Sequence, residues 1–216
     1  MKFWQPSRIS SARLILVSLL SLGLWAGTEW VQRQKRTSGP VSKESLVAMK
    51  EAAKLNEAAL QFLANERVKR GLPVDARVDP ARGGMVGLAM SPISSRVGSL
   101  PAKRTTRDPN WSAFIVSMLV EAGVKAGDFV AVGMSGSFPA WNVALLAAAE
   151  NMGFRPIVIS SVAASSWGAN DPSFTWLDME RALADAGIFH TRSIFASLGG
   201  LEDRAVGLSP DGVNAL

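Results

Sequence analysis

Residues 128–142 (DFVAVGMSGSFPAWN) constrain what this chain can fold into more than any other stretch. The apolar residues at 129–132 read as a buried strand. Gly133, Ser135, Gly136 and Ser137 then make a tight turn. Pro139 falls in the first turn of a helix, where a missing N–H leaves no bond unmade. A strand that turns sharply into a helix brings backbone N–H groups and small hydroxyls to one place. Such a place suits an anion or exposes a nucleophile.

The flanking sequence repeats this alternation. Residues 85–90 (MVGLAM) read as a short buried strand, and residues 94–107 as a polar, basic loop. Asp108-Pro109 starts a helix whose buried stripe is Trp111, Ile115, Met118, Leu119 and Ala122. The helix from about 138 to 152 is almost wholly apolar and is expected to be well buried. Residues 156–160 form a continuous apolar strand, as a parallel sheet requires. Asp171-Pro172 starts another helix with Trp176, Met179, Leu183 and Ala186 on one face, and residues 192–197 make a fourth strand. Short linkers between alternating elements predict an α/β fold, an open and mostly parallel sheet with crossover helices. Ser209-Pro210-Asp211 is a clean helix start, but the sequence runs out at Leu216, too soon for a stable helix; a longer natural chain and a frayed tail are both in keeping with that.

Ahead of this domain lie two further parts. Residues 14–26 are an apolar run preceded by Lys2, Arg8 and Arg13. With residues 27–31 the run reaches the length of a membrane span, with Trp4, Trp25 and Trp30 as interfacial anchors. A cleavable signal peptide, cut near Ala26-Gly27-Thr28, is the competing reading, and an uncleaved signal anchor is preferred. Basic residues on both sides of the span leave its orientation open. The export-like shape favours a single pass of the cytoplasmic membrane with the domain outside. A linker at 37–40 leads to a helix capped by Ser42 that runs to about Arg70, with Leu46, Met49, Ala53, Leu60 and Leu63 on its apolar face. The expected parts are therefore 1–36, 37–79 and 80–216.

Charge follows this division. Residues 1–36 hold six Lys or Arg and one Glu, whereas residues 37–216 hold 17 basic and 17 acidic groups. The net charge of +5 belongs to the membrane-flanking segment, so a nucleic-acid partner has no support. The absence of cysteine excludes a disulfide framework, and a single histidine excludes a histidine-rich metal site.

In an open parallel sheet, ligands bind beyond the carboxyl ends of the strands. Ser91, Ser94 and Ser95 follow the first strand, and Ser135, Gly136 and Ser137 the second. Ser160, Ser161, Ser165, Ser166, Asn170 and Asp171 follow the third, and Ser197, Gly199, Gly200, Glu202 and Asp203 the fourth. Four such loops on one edge predict a polar crevice. One reading is a site for a carboxylate or phosphate, with the N–H groups of Gly136, Ser137 and Phe138 as donors. Lys103, Arg104 and Arg107 would then supply countercharge. A second is a serine hydrolase, since Gly133-Met-Ser135-Gly-Ser137 approximates the nucleophile elbow. Its difficulty is that His190 precedes the fourth strand, on the opposite edge from Ser135. A Ser–Lys pair would instead need Lys103 to fold over the site. A third is a non-catalytic assembly subunit. Asp171, Asp178, Glu202 and Asp203 are explained as caps or surface groups, so neither a metal nor a cofactor is expected.

Residues 131–142, continued by residues 159–180 with the run Ser165-Ser-Trp-Gly-Ala-Asn-Asp-Pro172, resemble the bacterial poly-gamma-glutamate system protein family. The resemblance covers about residues 80–210, and the membrane anchor is in keeping with it. It implies a membrane-associated role in synthesis or export of poly-γ-glutamate, a polymer with a carboxylate on every unit, and synthase subunits as partners. It carries no catalytic residues over. Ser135 is the candidate nucleophile. Lys103, Arg104, Gly136, Ser137, Ser165, Ser166, Asn170 and Asp171 are the candidate ligand-binding residues.

Overall fold

A computed structural model of the chain describes residues 10–35, 42–72, 74–81 and 83–216. Lys2, Arg8, the anchor at Trp4 and the linker at 37–40 lie outside the described residues. Contacts divide the chain into two units, Met1–Val41 and Ser42–Leu216.

In the first unit a single helix, α1 (Ser11–Lys35), carries the apolar run. Its stretch Ser11–Val31 has 21 residues. At 1.5 Å per residue that is about 31 Å, against a hydrocarbon core of about 30 Å. α1 is thus long and apolar enough to cross a membrane or to act as a signal sequence. The side chains of Leu14, Leu19, Leu24 and Trp30 are exposed on it.

The second unit begins with α2 (Lys43–Lys69), whose first turn is capped by the Ser42 hydroxyl accepting the Ser45 N–H at 3.1 Å. α2 belongs to the body of this unit. It packs against α4 (Asn110–Glu121), α5 (Pro139–Met152) and α6 (Trp176–Asp185). The buried face overlaps the expected one, with Leu63 buried and Leu60 and Met49 packed on the core, but it is centred on smaller residues. Ala52, Asn56, Ala59, Leu63, Ala64 and Arg67 are buried, whereas Leu46 is exposed. Alanines let three helices approach closely, so small residues mark the contact.

The strands are all paired in parallel, but in two sheets. β2 (Phe129–Ser135), β3 (Arg155–Ser161) and β5 (Phe195–Ser197) form one sheet in the order β2-β3-β5. β2 and β3 run in register over seven pairs, from Phe129 opposite Arg155 to Ser135 opposite Ser161. β1 (Ser94–Arg96) and β4 (Ala164–Ser165) make a separate two-stranded sheet. The expected strand at 85–90 is irregular instead. Met85 and Val86 are buried, but the segment is held by Asn170, which donates to the Leu88 carbonyl and accepts the Leu88 N–H. Beside two backbone hydrogen bonds to Trp167, this side chain takes over part of what a neighbouring strand would supply.

Other boundaries also move. Residues 94–107 contain β1 and a short helix, α3 (Leu100–Thr105), capped by Ser99, where a basic loop was expected. α6 starts at Trp176, not at Asp171. Thr175 and Asp178 form its capping box, and Asp171 closes a turn on Ser173. The last helix, α7 (Pro210–Ala215), does form. The Ser209 hydroxyl caps it at Gly212 N, and Gly212 packs on the Pro92 carbonyl so closely that a Cβ would lie 1.9 Å from its oxygen. Tertiary contact supplies what its length does not.

Strand β3 was expected to be apolar because both its faces are covered. Only one is, among the described residues. Val158, Met134 and Ser160 turn inward to Leu63, Val143, Leu146 and Trp176. The alternate residues Phe129, Ile157, Ile159 and Phe195 are exposed, Ile159 by 51% and Phe195 by 66%. On α4 likewise, Ile115 and Val116 are buried while Met118 of the expected stripe is exposed.

Neighbouring β3 residues should therefore respond very differently to truncation. Val158→Ala is expected to cost about 2 kcal/mol and Ile159→Ala well under about 1 kcal/mol, read by urea denaturation of the detergent-solubilised chain. Equal losses would contradict the one-sided packing.

Candidate functional site

Register places the loops. Because Ser135 and Ser161 end the two long strands side by side, the segments after β2 and β3 leave the sheet together. They are pressed into contact by glycines. Gly136 donates its N–H to the Ser161 carbonyl at 2.9 Å and accepts the Ala169 N–H at 2.7 Å. A Cβ on Gly136 would lie 2.5 Å from the Val162 oxygen, and one on Gly168 would lie 2.7 Å from the Gly136 oxygen. Gly98, after β1, approaches the Ser166 carbonyl as closely. Between them Trp167 adopts φ +66°, a strained conformation for a bulky residue. Three loops thus meet within backbone contact at the carboxyl ends of their strands.

Lys103 stands at their junction. It lies on α3, one turn from Thr106 on the same buried face, and is only 3% exposed. Its Nζ donates to the Ser137 carbonyl, lies 2.8 Å from Ser165 Oγ, and sits 3.6 Å above the Phe138 ring. Ser137 also positions Ser165, because its hydroxyl accepts the Ser165 N–H at 3.0 Å. Burial pushes the Lys103 ammonium down from the ordinary 10.5 to about 8. Among the described residues no carboxylate is ion-paired with it.

The other candidate residues serve different ends. Ser135 Oγ accepts the Ser137 N–H at 3.1 Å, and no basic side chain is in hydrogen-bond contact with that hydroxyl among the described residues. The Gly136 N–H is spent on Ser161, and the Phe138 N–H reaches the Ser135 carbonyl at 3.4 Å. The N–H groups expected to hold an anion are thus already engaged within the protein. Arg104 turns away, donating to the carbonyls of Val78 and Arg77, and Arg107 pairs with Asp79. Ser166 is buried, with its hydroxyl on Met90 Sδ and the Arg96 carbonyl. Asn170 bridges Leu88 and Ser94. Asp171 holds Ser173 and lies 3.9 Å from Arg67. Ser160 belongs to a buried chain of hydrogen bonds from Trp176 through Ser193 to Glu180. His190 is exposed and rests on Glu150, 3.0 Å away, before β5 at the far end of the sheet.

What sequence reasoning missed is the pairing of Lys103 with Ser165. One signal was present. Leu100, Lys103 and Thr106 are three residues apart, so a helix there puts Lys103 on the face that a leucine already marks as inward. Comparison with protein-family models, with curated proteins and with solved structures finds no match for this chain.

The Lys103 shift has a sign that can be checked. The folded chain holds this proton less tightly than the unfolded chain, so burial of the charge opposes folding fully below pH 8. The cost is relieved as pH rises from about 8 towards 10.5. Over that window the wild-type chain should gain on the order of 3 kcal/mol relative to Lys103→Met. Paired urea melts at pH 7.5 and pH 10 measure it, and parallel pH profiles would contradict the burial.

Proposed function

We propose that this chain is a membrane-anchored component of poly-γ-glutamate biosynthesis or export. In this reading α1 makes a single pass of the cytoplasmic membrane, the α/β unit lies outside, and the crevice receives a carboxylate-bearing stretch of polymer. The observation that supports it is Lys103, a buried cation held by a carbonyl, a hydroxyl and a ring, with no carboxylate ion-paired to it among the described residues. A charge so placed in a low-dielectric site attracts an anion more strongly than a solvated one. Ser137 and Phe138, which touch Lys103, both reach solvent. The polymer itself is supported only by the family resemblance of residues 131–142 and 159–180.

A second reading, serine-dependent hydrolysis of the polymer, is favoured by one contact, the 2.8 Å between Lys103 Nζ and Ser165 Oγ. It shifts attention from Ser135, whose hydroxyl has no such neighbour.

Calorimetric titration of the detergent-solubilised full chain with oligo-γ-glutamate tests the first reading. Saturable binding that weakens with salt and falls at least about tenfold in Lys103→Met is expected. Binding unchanged by Lys103→Met would remove Lys103 from the site, and no binding at all would end the carboxylate reading.

A further inference from the structure

We infer that Ser165 and Lys103 form a nucleophile–base pair that cleaves an amide bond by acyl transfer. This inference rests on the hydrolase reading of the crevice and gives it a different serine. The argument is geometric. An amine nitrogen offers four directions, one of them the bond to its own carbon. Lys103 Nζ has as many close partners, the Ser137 carbonyl, the Phe138 ring and Ser165 Oγ, as it has directions left. When the amine is neutral, its two N–H bonds satisfy the carbonyl and the π face. Its lone pair is then left for the Ser165 O–H. The carbonyl and the ring cannot donate a hydrogen bond to it, so the hydroxyl is the partner that can. A nucleophile, a base within 2.8 Å and groups that orient the base are the parts such a pair requires.

Ser137 positions both partners. Its carbonyl holds Lys103, and its hydroxyl accepts the Ser165 N–H. Ser165 is 5% exposed, packs against Gly98, accepts the Gly168 N–H on its carbonyl, and lies two residues before the left-handed Trp167. Closely packed loops and one strained residue fix its side chain where a surface serine would rotate freely. Low exposure suits the base as well, because a lysine must be desolvated to be neutral near physiological pH.

The chemistry balances with water as the co-reactant. Ser165 Oγ adds to the amide carbonyl carbon while its proton passes to Lys103 Nζ. The carbonyl electron pair moves onto oxygen. When the tetrahedral adduct collapses, the C–N bond breaks and the Lys103 ammonium returns the proton to the leaving nitrogen. Water then attacks the Ser165 ester, gives a proton to Lys103, and releases a carboxylic acid. The proton on Lys103 returns to Ser165 Oγ. An amide is the substrate class, since the step needs an acyl carbon for Ser165 Oγ and a leaving nitrogen that the Lys103 ammonium can protonate.

The test is fluorophosphonate labelling of the detergent-solubilised full chain, with the modified residue located by peptide mass spectrometry. Labelling at Ser165 that is lost in Ser165→Ala and kept in Ser135→Ala supports the pair. Labelling at Ser135 would overturn this assignment while leaving the hydrolase reading standing. No labelled serine would overturn both, whereas oligo-γ-glutamate binding would still decide the binding reading separately. Lys103→Met removes a buried contact and so tests folding as well as chemistry. The pH profile of wild-type labelling is therefore the second measurement. Lys103 faces Ser137, Ser165 and Phe138. The nearby charges on its own segment, Arg104 and Arg107, turn to the Arg77 and Val78 carbonyls and to Asp79. The labelling rate should climb about tenfold per pH unit and level off near pH 8. A rate flat from pH 6 to pH 9 would overturn the role of Lys103 as base.

Discussion

The parallel register between β2 and β3 governs the rest of the domain. Seven consecutive pairs bring Ser135 level with Ser161, so two Ser/Gly loops must leave the sheet at one point. They can do so only because Gly136 and Gly168 have no side chains. Any Cβ at either position would run into a backbone oxygen of the facing loop. A shift of one residue would also exchange the buried Val158 and Ser160 for Ile157 and Ile159. The packed face thus fixes the register, and the register fixes where the loops meet.

Behind the sheet, helices meet on alanines. Ala52 and Ala59 of α2 and Ala144, Ala147 and Ala148 of α5 are fully buried; Ala59 and Ala147 join the core of Leu63, Val143 and Trp176, and Ala52, Ala144 and Ala148 that of Ile115 and Val116. Close helix contact on one side explains why the sheet carries its covering layer there. The outer face keeps Phe129, Ile157, Ile159 and Phe195 exposed. Parallel sheets are rarely left bare on one face, and nothing among the described residues covers this one.

Lys103 connects the fold to the site. A lysine that packs under three loops gives up its hydration, and the loops return a carbonyl, a hydroxyl and a ring face in exchange. This compensation is incomplete, which is why its proton is held loosely. Among the described residues the amine is the point where stability, charge and possible chemistry meet. Its neighbours Ser137 and Ser165 were both visible in the sequence as candidates, but as members of a polar crevice. Ser166, Asn170 and Asp171 were visible for the same reason and turn out to hold the loop architecture. Composition marks a polar loop without saying which hydroxyls are spent on backbone groups.

The sequence by itself determined the elements whose cause is local. The apolar run of α1, the caps at Ser42 and Ser209, the strand centres at 129–132 and 156–160 and the nearly all-apolar α5 follow from periodicity, capping and turn chemistry, although β2 runs on to Ser135 through residues expected in the turn. It also determined that the net basic charge belongs to residues 1–36, around the apolar helix. Tertiary structure decided everything that depends on what lies across a gap. It turned residues 85–90 into a segment held by Asn170 and by the Trp167 backbone, and stabilised α7 on the Pro92 carbonyl. It also placed Lys103 on Ser165, away from Ser135. The physical reason is common to these cases. Each depends on a partner far away in the chain, 62 residues off for Lys103 and Ser165, and no local propensity encodes that distance.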